Sequence, residues 1–415
     1  MKSVAIIGGG AAGLMAAVGA IDKGVTPLVF ERNPQVGKKL IITGKGRSNV
    51  SNDCDIENFI KNFPGNGSFL YSALYAFDSK KLRNFLDTIG VSTKVERGGR
   101  IFPESDKAKD VVNALLKYLL INGAQIRLKS RVEHLVIDGD KIKGISLQGK
   151  TMEFPAVIVA TGGMSYPSTG STGDGYNLAQ EASHTIVTPF PSLVPLETKE
   201  KWIQDVQGLA LKNVEASSFY KGKLLQREFG EMIFTHFGVS GPIILTLSRE
   251  IAKIIRCDNA DITVRINLKP ALTFEQLDRR LQRILKENKK KSFKNSIMKL
   301  FPKSLLNPML QLSGINPDKP VHQITKEERQ SFALLIQNLT LTVTKTRPYE
   351  EAIVTAGGVN VKEIAPSTMA SKLIKGLYFA GEVLDIDGYT GGYNLQAAFS
   401  TGFLAGRSAA AYTSQ

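Results

Sequence analysis

The N-terminal stretch SVAIIGGGAAGLMAAVGAI constrains the fold more than any other feature of this chain. Ser3 to Ile7 is a short β-branched run, Gly8-Gly9-Gly10-Ala11-Ala12-Gly13 follows it, and Leu14 to Ile21 carries helix formers. That succession reads as strand, glycine turn, helix. Gly8, Gly10 and Gly13 fill the pattern G-x-G-x-x-G, in which the first glycine makes the tight turn, the second admits a pyrophosphate and the third lets helix pack on strand. Ala11 and Ala12 open the helix, whose unpaired N–H groups would face the phosphates. Standing alone, the pattern also fits an ordinary tight turn. A second apolar run, Pro27 to Phe30, ends in Glu31 and Arg32, and Glu31 lies eighteen residues after Gly13. A carboxylate there can accept from a ribose 2′-OH. The pair of features predicts a bound dinucleotide and leaves NAD and FAD both open.

Three further stretches favour FAD. GKKLIITGKGRSNVSN, from Gly37 to Asn52, reads as a loop suited to a long ligand, with Lys38, Lys39, Gly46, Arg47, Ser48 and Asn49 as candidate contacts. The alternative is a solvated basic loop, against which Ile41 and Ile42 argue by interrupting it as if one side packed. From Gln125 to Gly163 the chain reads as strands and turns, with Val132 a candidate contact. The last of these strands, Ala156 to Ala160, ends in Thr161-Gly162-Gly163, where the backbone can approach a ligand. Near the C-terminus, a strand from Leu377 to Ala380 runs into Gly381-Glu382, with Glu382 a candidate partner for a ribityl hydroxyl. Gly391-Gly392-Tyr393-Asn394-Leu395-Gln396 then opens a small-residue helix, whose N-terminus would favour negative charge on a reduced flavin ring or would merely pack on the sheet. A single G-x-G-x-x-G leaves no second nucleotide fold for a permanently held nicotinamide, so NAD(P)H is expected as a transient donor. The two cysteines, Cys54 and Cys257, form neither a disulfide framework nor a redox dithiol nor a zinc knuckle. No metal is expected, and a reducing cytoplasmic setting fits best. No run approaches the roughly 18 apolar residues of a membrane span.

These stretches, together with GRIFPESDKAKDVV, VIVATGGMSYPSTGSTGDGY, GEMIFTHFGVSGP and AGEVLDIDGYTGGYNLQAAFSTG, cover nearly the whole chain. They resemble the three-domain NAD(P)/FAD-dependent oxidoreductases, a group that includes aminoacetone oxidase, a reductase of bile-acid dehydroxylation and ribosomal RNA dihydrouridine synthases. The resemblance implies an α/β fold: a Rossmann-like FAD-binding domain interrupted by a β-rich subdomain and a small helical bundle. The expected bounds are 1–190 with 347–415 for FAD, 191–270 with 340–346 for the β-rich part and 271–339 for the helices. It also implies a departure. Relatives often carry Cys where this chain has Ser48, and a serine is a far weaker acid.

From Arg279 to Lys303 there are ten Lys or Arg residues against one acid, Glu287, a net +9 of the chain's +15. A solvated helix face normally interleaves acids for i,i+4 pairs, and here they are nearly missing. Arg279, Arg280, Arg283, Lys286, Lys289, Lys290, Lys291 and Lys294 are therefore candidates for contacting ribosomal RNA or another polyanion. Joined to the FAD site, this favours reduction of a uridine C5=C6 bond in ribosomal RNA, with electrons from NAD(P)H. The alternatives are a small-molecule oxidoreductase, either an aminoacetone-type amine oxidase or an enone reductase, and a non-enzymatic flavin-bound assembly protein. His236, Tyr166, Tyr389 and Arg47 are the catalytic candidates, and Arg100 is a second cation expected near the flavin.

Overall fold

The computed structural model describes residues 3–258 and 262–414. The chain forms two compact units, Met1–Ser192 with Tyr349–Gln415 and Leu193–Pro348.

The first unit is built on five parallel strands in the order Leu377–Phe379, Ala156–Val159, Ser3–Ile7, Thr26–Phe30, Gln125–Arg127. Val4 sits opposite both Ala156 and Pro27. The inner strands are largely apolar, as strands covered on both faces must be, and every side chain from Ala156 to Val159 is fully buried, whereas the edge strand Gln125–Arg127 is polar and mostly exposed. Two helices, Ala11–Ile21 and Tyr393–Thr413, cross closely. A Cβ on Gly402 would lie 2.2 Å from the Ala12 carbonyl oxygen, so only a bare backbone fits there. The strand and helix near the C-terminus thus complete a sheet begun at the N-terminus.

Two local readings change. The stretch expected as a loop after Gly37 contains a helix, Lys38–Ile42, a 3-10 turn, Thr43–Gly46, and an extended pair, Ser51–Asn52. Leu40, 2% exposed, anchors it to the core, which the run of lysines and glycines obscured. The run from Gln125 to Ile137 is likewise broken: Gln125–Arg127 joins the parallel sheet, whereas His134–Asp138 belongs to an antiparallel meander with Lys141–Leu147 and Lys150–Glu153. Lys129, in the left-handed region at φ 52°, turns the chain between the two.

The second unit contains a closed barrel of six strands, neighbours in the order Leu196–Thr198, Gly238–Ser240, Lys223–Phe234, Ala210–Tyr220, Ile262–Asn267, Leu339–Thr346. Lys221-Gly222 turns the long hairpin. Helix Pro242–Cys257 packs on the barrel, and Phe274–Glu287, Phe293–Ile297, Lys303–Ser313 and Lys326–Gln337 form the helical part. Strands and helices share one hydrophobic core, in which Ile262 and Val264 cluster with Leu277, Phe293 and Phe332. The boundary expected near residue 270 therefore does not separate two cores.

Candidate functional site

A cleft of about 340 Å³ lies beyond the carboxyl ends of the parallel strands of the first unit, where open α/β sheets place their ligands. Gly8, Gly10, Ala11 and Ala12 line it from the first turn, Glu31 and Arg32 from the end of the second strand, and Ala160, Thr161 and Gly162 from the third. Lys38, Lys39, Asn49, Val132, Gly381, Glu382, Gly392, Asn394 and Leu395 line it as well, as does Tyr389 of the catalytic candidates. The sequence missed Ser130, Arg131, Gly170, Ser171, Asp174 and Val354, which line it too. They come from segments whose contribution depends on tertiary folding and leaves no local pattern.

The glycine turn has a physical reason. Gly8 adopts φ +108° and its N–H donates to the Phe30 carbonyl at 2.8 Å. Gly13 does not face the cleft; an added Cβ there would sit 1.8 Å from the Gly8 carbonyl oxygen, so it lets the helix close on the turn. The N-cap, Gly10, offers no side-chain acceptor, which leaves the first amides of Ala11–Ile21 to an external anion.

Glu31 is 7% exposed and fixed in orientation. Its Oε2 accepts the Gly9 N–H at 2.8 Å, and its Oε1 accepts both the backbone and side-chain N–H of Asn33 at 2.8 Å. A carboxylate so held keeps acceptor capacity for a ribose hydroxyl. Glu382 is more committed: Oε1 accepts from Ser165 Oγ at 2.6 Å and from the Thr355 N–H at 2.8 Å, while Oε2 pairs with Lys39 Nζ at 2.6 Å. Lys39 also donates to Ser165 Oγ at 2.5 Å, which leaves one N–H for a ligand. Asn49 Oδ1 is buried in the cleft wall without a hydrogen-bond partner within the protein. A buried carbonyl of this kind calls for a donor such as an imide or hydroxyl. Glycine turn, open helix N-terminus, oriented carboxylate and orphaned amide together fit a dinucleotide carrying a hydrogen-bonding ring.

A rim of charge borders the cleft. Asp174 accepts from Arg131 Nε at 2.9 Å and Nη2 at 3.1 Å, and from Arg32 Nη1 at 3.0 Å. Burial works against its charge, but the two guanidiniums outweigh that and hold the carboxyl below the usual carboxylate range.

Other candidates sit elsewhere. Arg47 does not line the cleft: its guanidinium lies 4.2 Å from the centre of the Phe102 ring, clasped by Glu96 and by Asp106, whose Oδ1 accepts from Nε at 2.8 Å. These hydrogen bonds, first that with Glu96, raise its affinity for its proton further. Arg100 lies 5.8 Å from the centre of the same ring, and Lys94 joins Asp106 at 2.7 Å. Ser48 is fully buried at φ +58°, with Oγ 3.4 Å from Thr43 Oγ1, and Gly46 neighbours it outside the wall. Gln396 is also fully buried and braces Ser51 and the Phe77 carbonyl. Gly163 packs against Thr355, and Tyr166 takes the left-handed φ of +52° with its N–H on Tyr349. Tyr393 meets Phe59 edge-on at 5.1 Å, and burial raises its phenol pKa. His236 belongs to the second unit, on the turn between Lys223–Phe234 and Gly238–Ser240, edge-on to Phe237 at 4.9 Å. Arg347 lies over Phe237 at 4.4 Å and pairs with Glu197 at 2.7 Å.

The eight basic candidates, Arg279, Arg280, Arg283, Lys286, Lys289, Lys290, Lys291 and Lys294, are all exposed. Among the described residues none of them forms an ion pair, whereas Arg32, Lys39, Arg47, Lys94 and Arg131 all do. Among the described residues there is no cluster of metal-ligating side chains and no helix long and apolar enough to cross a membrane.

The family described as "HI0933-like protein Rossmann domain" matches residues 2–408. The 3-dehydro-bile acid delta(4,6)-reductase of Clostridium scindens is 33% identical over 99% of each chain. The ribosomal RNA dihydrouridine synthase of Haemophilus influenzae is 30% identical over 96% of each. The fold is shared with the 3-ketosteroid-delta4-(5alpha)-dehydrogenase of Rhodococcus jostii, with a TM-score of 0.54 at 15% identity, covering 99% of this chain and 97% of that one.

Proposed function

This chain belongs to the HI0933-like Rossmann family, and from that premise we propose that it is an FAD-dependent oxidoreductase reducing a uridine C5=C6 bond in ribosomal RNA. The observation that carries the RNA part is the set of eight exposed cations without acidic partners. Lysines and arginines that neutralise phosphates displace the counterions condensed on the nucleic acid, which gives binding its strength and its salt dependence.

The chain's own residues have separable tasks. The turn at Gly8 and the open N-terminus of Ala11–Ile21 would hold the pyrophosphate, Glu31 the adenosine ribose, and Asn49 a ring or ribityl donor. A bound flavin would supply the hydride for uracil C6 and would be renewed by NAD(P)H. The protein must then unstack the base, at a cost of roughly a few kcal/mol that phosphate contacts offset, exclude water, and place a proton on C5. Of the four catalytic candidates, Tyr389 alone lines the cleft. A phenol there is suited to hydrogen-bonding the uracil carbonyl or to giving up that proton.

Mass spectrometry of ribosomal RNA from a strain lacking this protein tests the reading; a lost dihydrouridine is expected, and an unchanged complement sinks it. A second reading has its own support, the 33% identity to an enzyme named for reducing a bile acid. Both substrates present a C=C bond conjugated to a carbonyl, so one hydride chemistry serves either. Oxidation of the reduced enzyme by a steroid enone but not by RNA would favour the small molecule.

A further inference from the structure

The helical part of the second unit holds a groove of about 560 Å³, lined by Gln282, Leu285, Lys286 and Lys289 on one side and by Val321, His322, Ile324, Lys326 and Arg329 on the other. Its walls carry no carboxylate. Lys286, Lys289 and Lys326 are exposed and form no ion pair among the described residues. Arg329 is the exception, with Nε on Asp278 Oδ1 at 2.7 Å and Nη2 on Oδ2 at 3.2 Å; Gln282 Nε2 completes that carboxylate at 2.8 Å. Asp278, 8% exposed beneath the wall, is thereby consumed, and three lysines are left to face the groove. The apolar part is recessed: Val321 is 4% exposed, and Leu285 and Ile324 are half-buried. Exposed His322 supplies an aromatic face at the rim.

We infer that this groove is a subsite for single-stranded RNA, taking one unstacked nucleotide with its base against Leu285, Ile324 and His322 and its flanking phosphates on Lys286, Lys289 and Lys326. The inference rests on the RNA reading above and deepens it. Lysines on a flat face would serve any polyanion, duplex RNA included. An apolar floor below charged walls serves a ligand that has both phosphates and a free base. A-form duplex keeps its bases stacked inside and offers mainly phosphate and 2′-OH, whereas loops and bulges splay bases onto side chains. A lipid surface would need apolar groups that protrude, and here they lie at the bottom. The volume falls within the roughly 300–1,000 Å³ of small-ligand sites.

The test titrates the flavin-loaded full chain with a short single-stranded oligoribonucleotide and with a matched duplex, read by fluorescence anisotropy across a salt series. His322→Ala is expected to weaken single-strand binding about tenfold at unchanged salt slope, and to leave duplex binding within about twofold. Lys286→Ala with Lys326→Ala is expected to flatten the single-strand slope of log K against log salt by about 1.4, at about 0.7 per lost phosphate contact. Thermal midpoints equal to the parent's would exclude misfolding of these surface variants. Equal losses for duplex and single strand, or none for either, would overturn the subsite while leaving RNA binding in place. Loss of binding to phosphatidylserine vesicles in the same variants, with RNA binding intact, would assign the groove to lipid instead. A parent protein that binds neither RNA at low salt fails the RNA reading itself.

Discussion

Gly13 shows how a single atom sets the site. Its hydrogen stands where a Cβ would meet the Gly8 carbonyl oxygen at 1.8 Å, so Gly13→Ala must push the helix off the turn that faces the cofactor. The expected result is purified protein with well under stoichiometric flavin and about 1–3 kcal/mol less stability, read by the ratio of flavin to protein absorbance and by urea unfolding. Full flavin occupancy in that variant would contradict the role given to the turn. His184 makes a second prediction. Its ring is fully buried, with Nδ1 at 3.1 Å from Glu363 and Nε2 at 2.8 Å from Ser371. Burial lowers its pKa, and Glu363 only partly opposes this. The unfolded chain binds that proton near pH 6.5 and the folded one does so only at lower pH. The contribution is therefore whole above about pH 6.5 and is lost as pH falls toward the folded value. Thermal midpoints should drop between about pH 7 and 5.5, and His184→Gln should flatten that drop; an equally steep profile in the variant would exclude His184 as its source. At this scale the sequence was legible where chemistry and neighbours coincide, as at Gly8, Gly13 and Glu31. It was opaque at Arg47, whose charge was visible but whose partners, Glu96 and Asp106, stand 49 and 59 residues away and take it out of the cleft.

Helix ends were among the most readable elements. Thr325 and Glu328 form the reciprocal cap that their spacing announces, and Thr273 with Gln276 forms another. Tertiary pairs were unreadable: Asp278 on one helix holds Arg329 on another, 51 residues on. The two interactions should differ in weight. Thr325→Ala should cost about 1 kcal/mol, whereas Asp278→Ala, which strands a guanidinium only 16% exposed, should cost about 3–5 kcal/mol. Denaturant titrations of the two variants measure this, and equal effects would mean that the ion pair is solvated after all. The barrel was half-seen for a related reason. Its long hairpin and Ile262–Asn267 alternate clearly, but closure depends on Leu196–Thr198 and Gly238–Ser240, three residues each, too short to show a period of two.

For the molecule as a whole, the asymmetry of charge is the property with the widest reach. Replacing Lys289, Lys290 and Lys291 by Glu should leave the flavin site intact, since the first unit alone supplies the cleft, while RNA affinity and its salt slope both fall. Filter binding across a salt series would show it, and unchanged affinity would remove these lysines from any docking role. The return of the chain to the first sheet was signalled by Leu377 to Glu382, a strand with a glycine end like those at Gly8 and Gly162. The shared core of strands and helices in the second unit was not, because packing partners leave no mark in either run alone. The interrupted first unit carries a consequence for biosynthesis. Strand Leu377–Phe379 and helix Tyr393–Thr413 leave the ribosome after the whole second unit, yet they close the sheet and one wall of the cleft. The uninterrupted second unit has all its strands and helices available earlier, and domains generally fold as units during synthesis. On this order the nascent N-terminal part waits with its parallel sheet unfinished while the second unit is made, and the cofactor can be captured only once this strand and helix have followed.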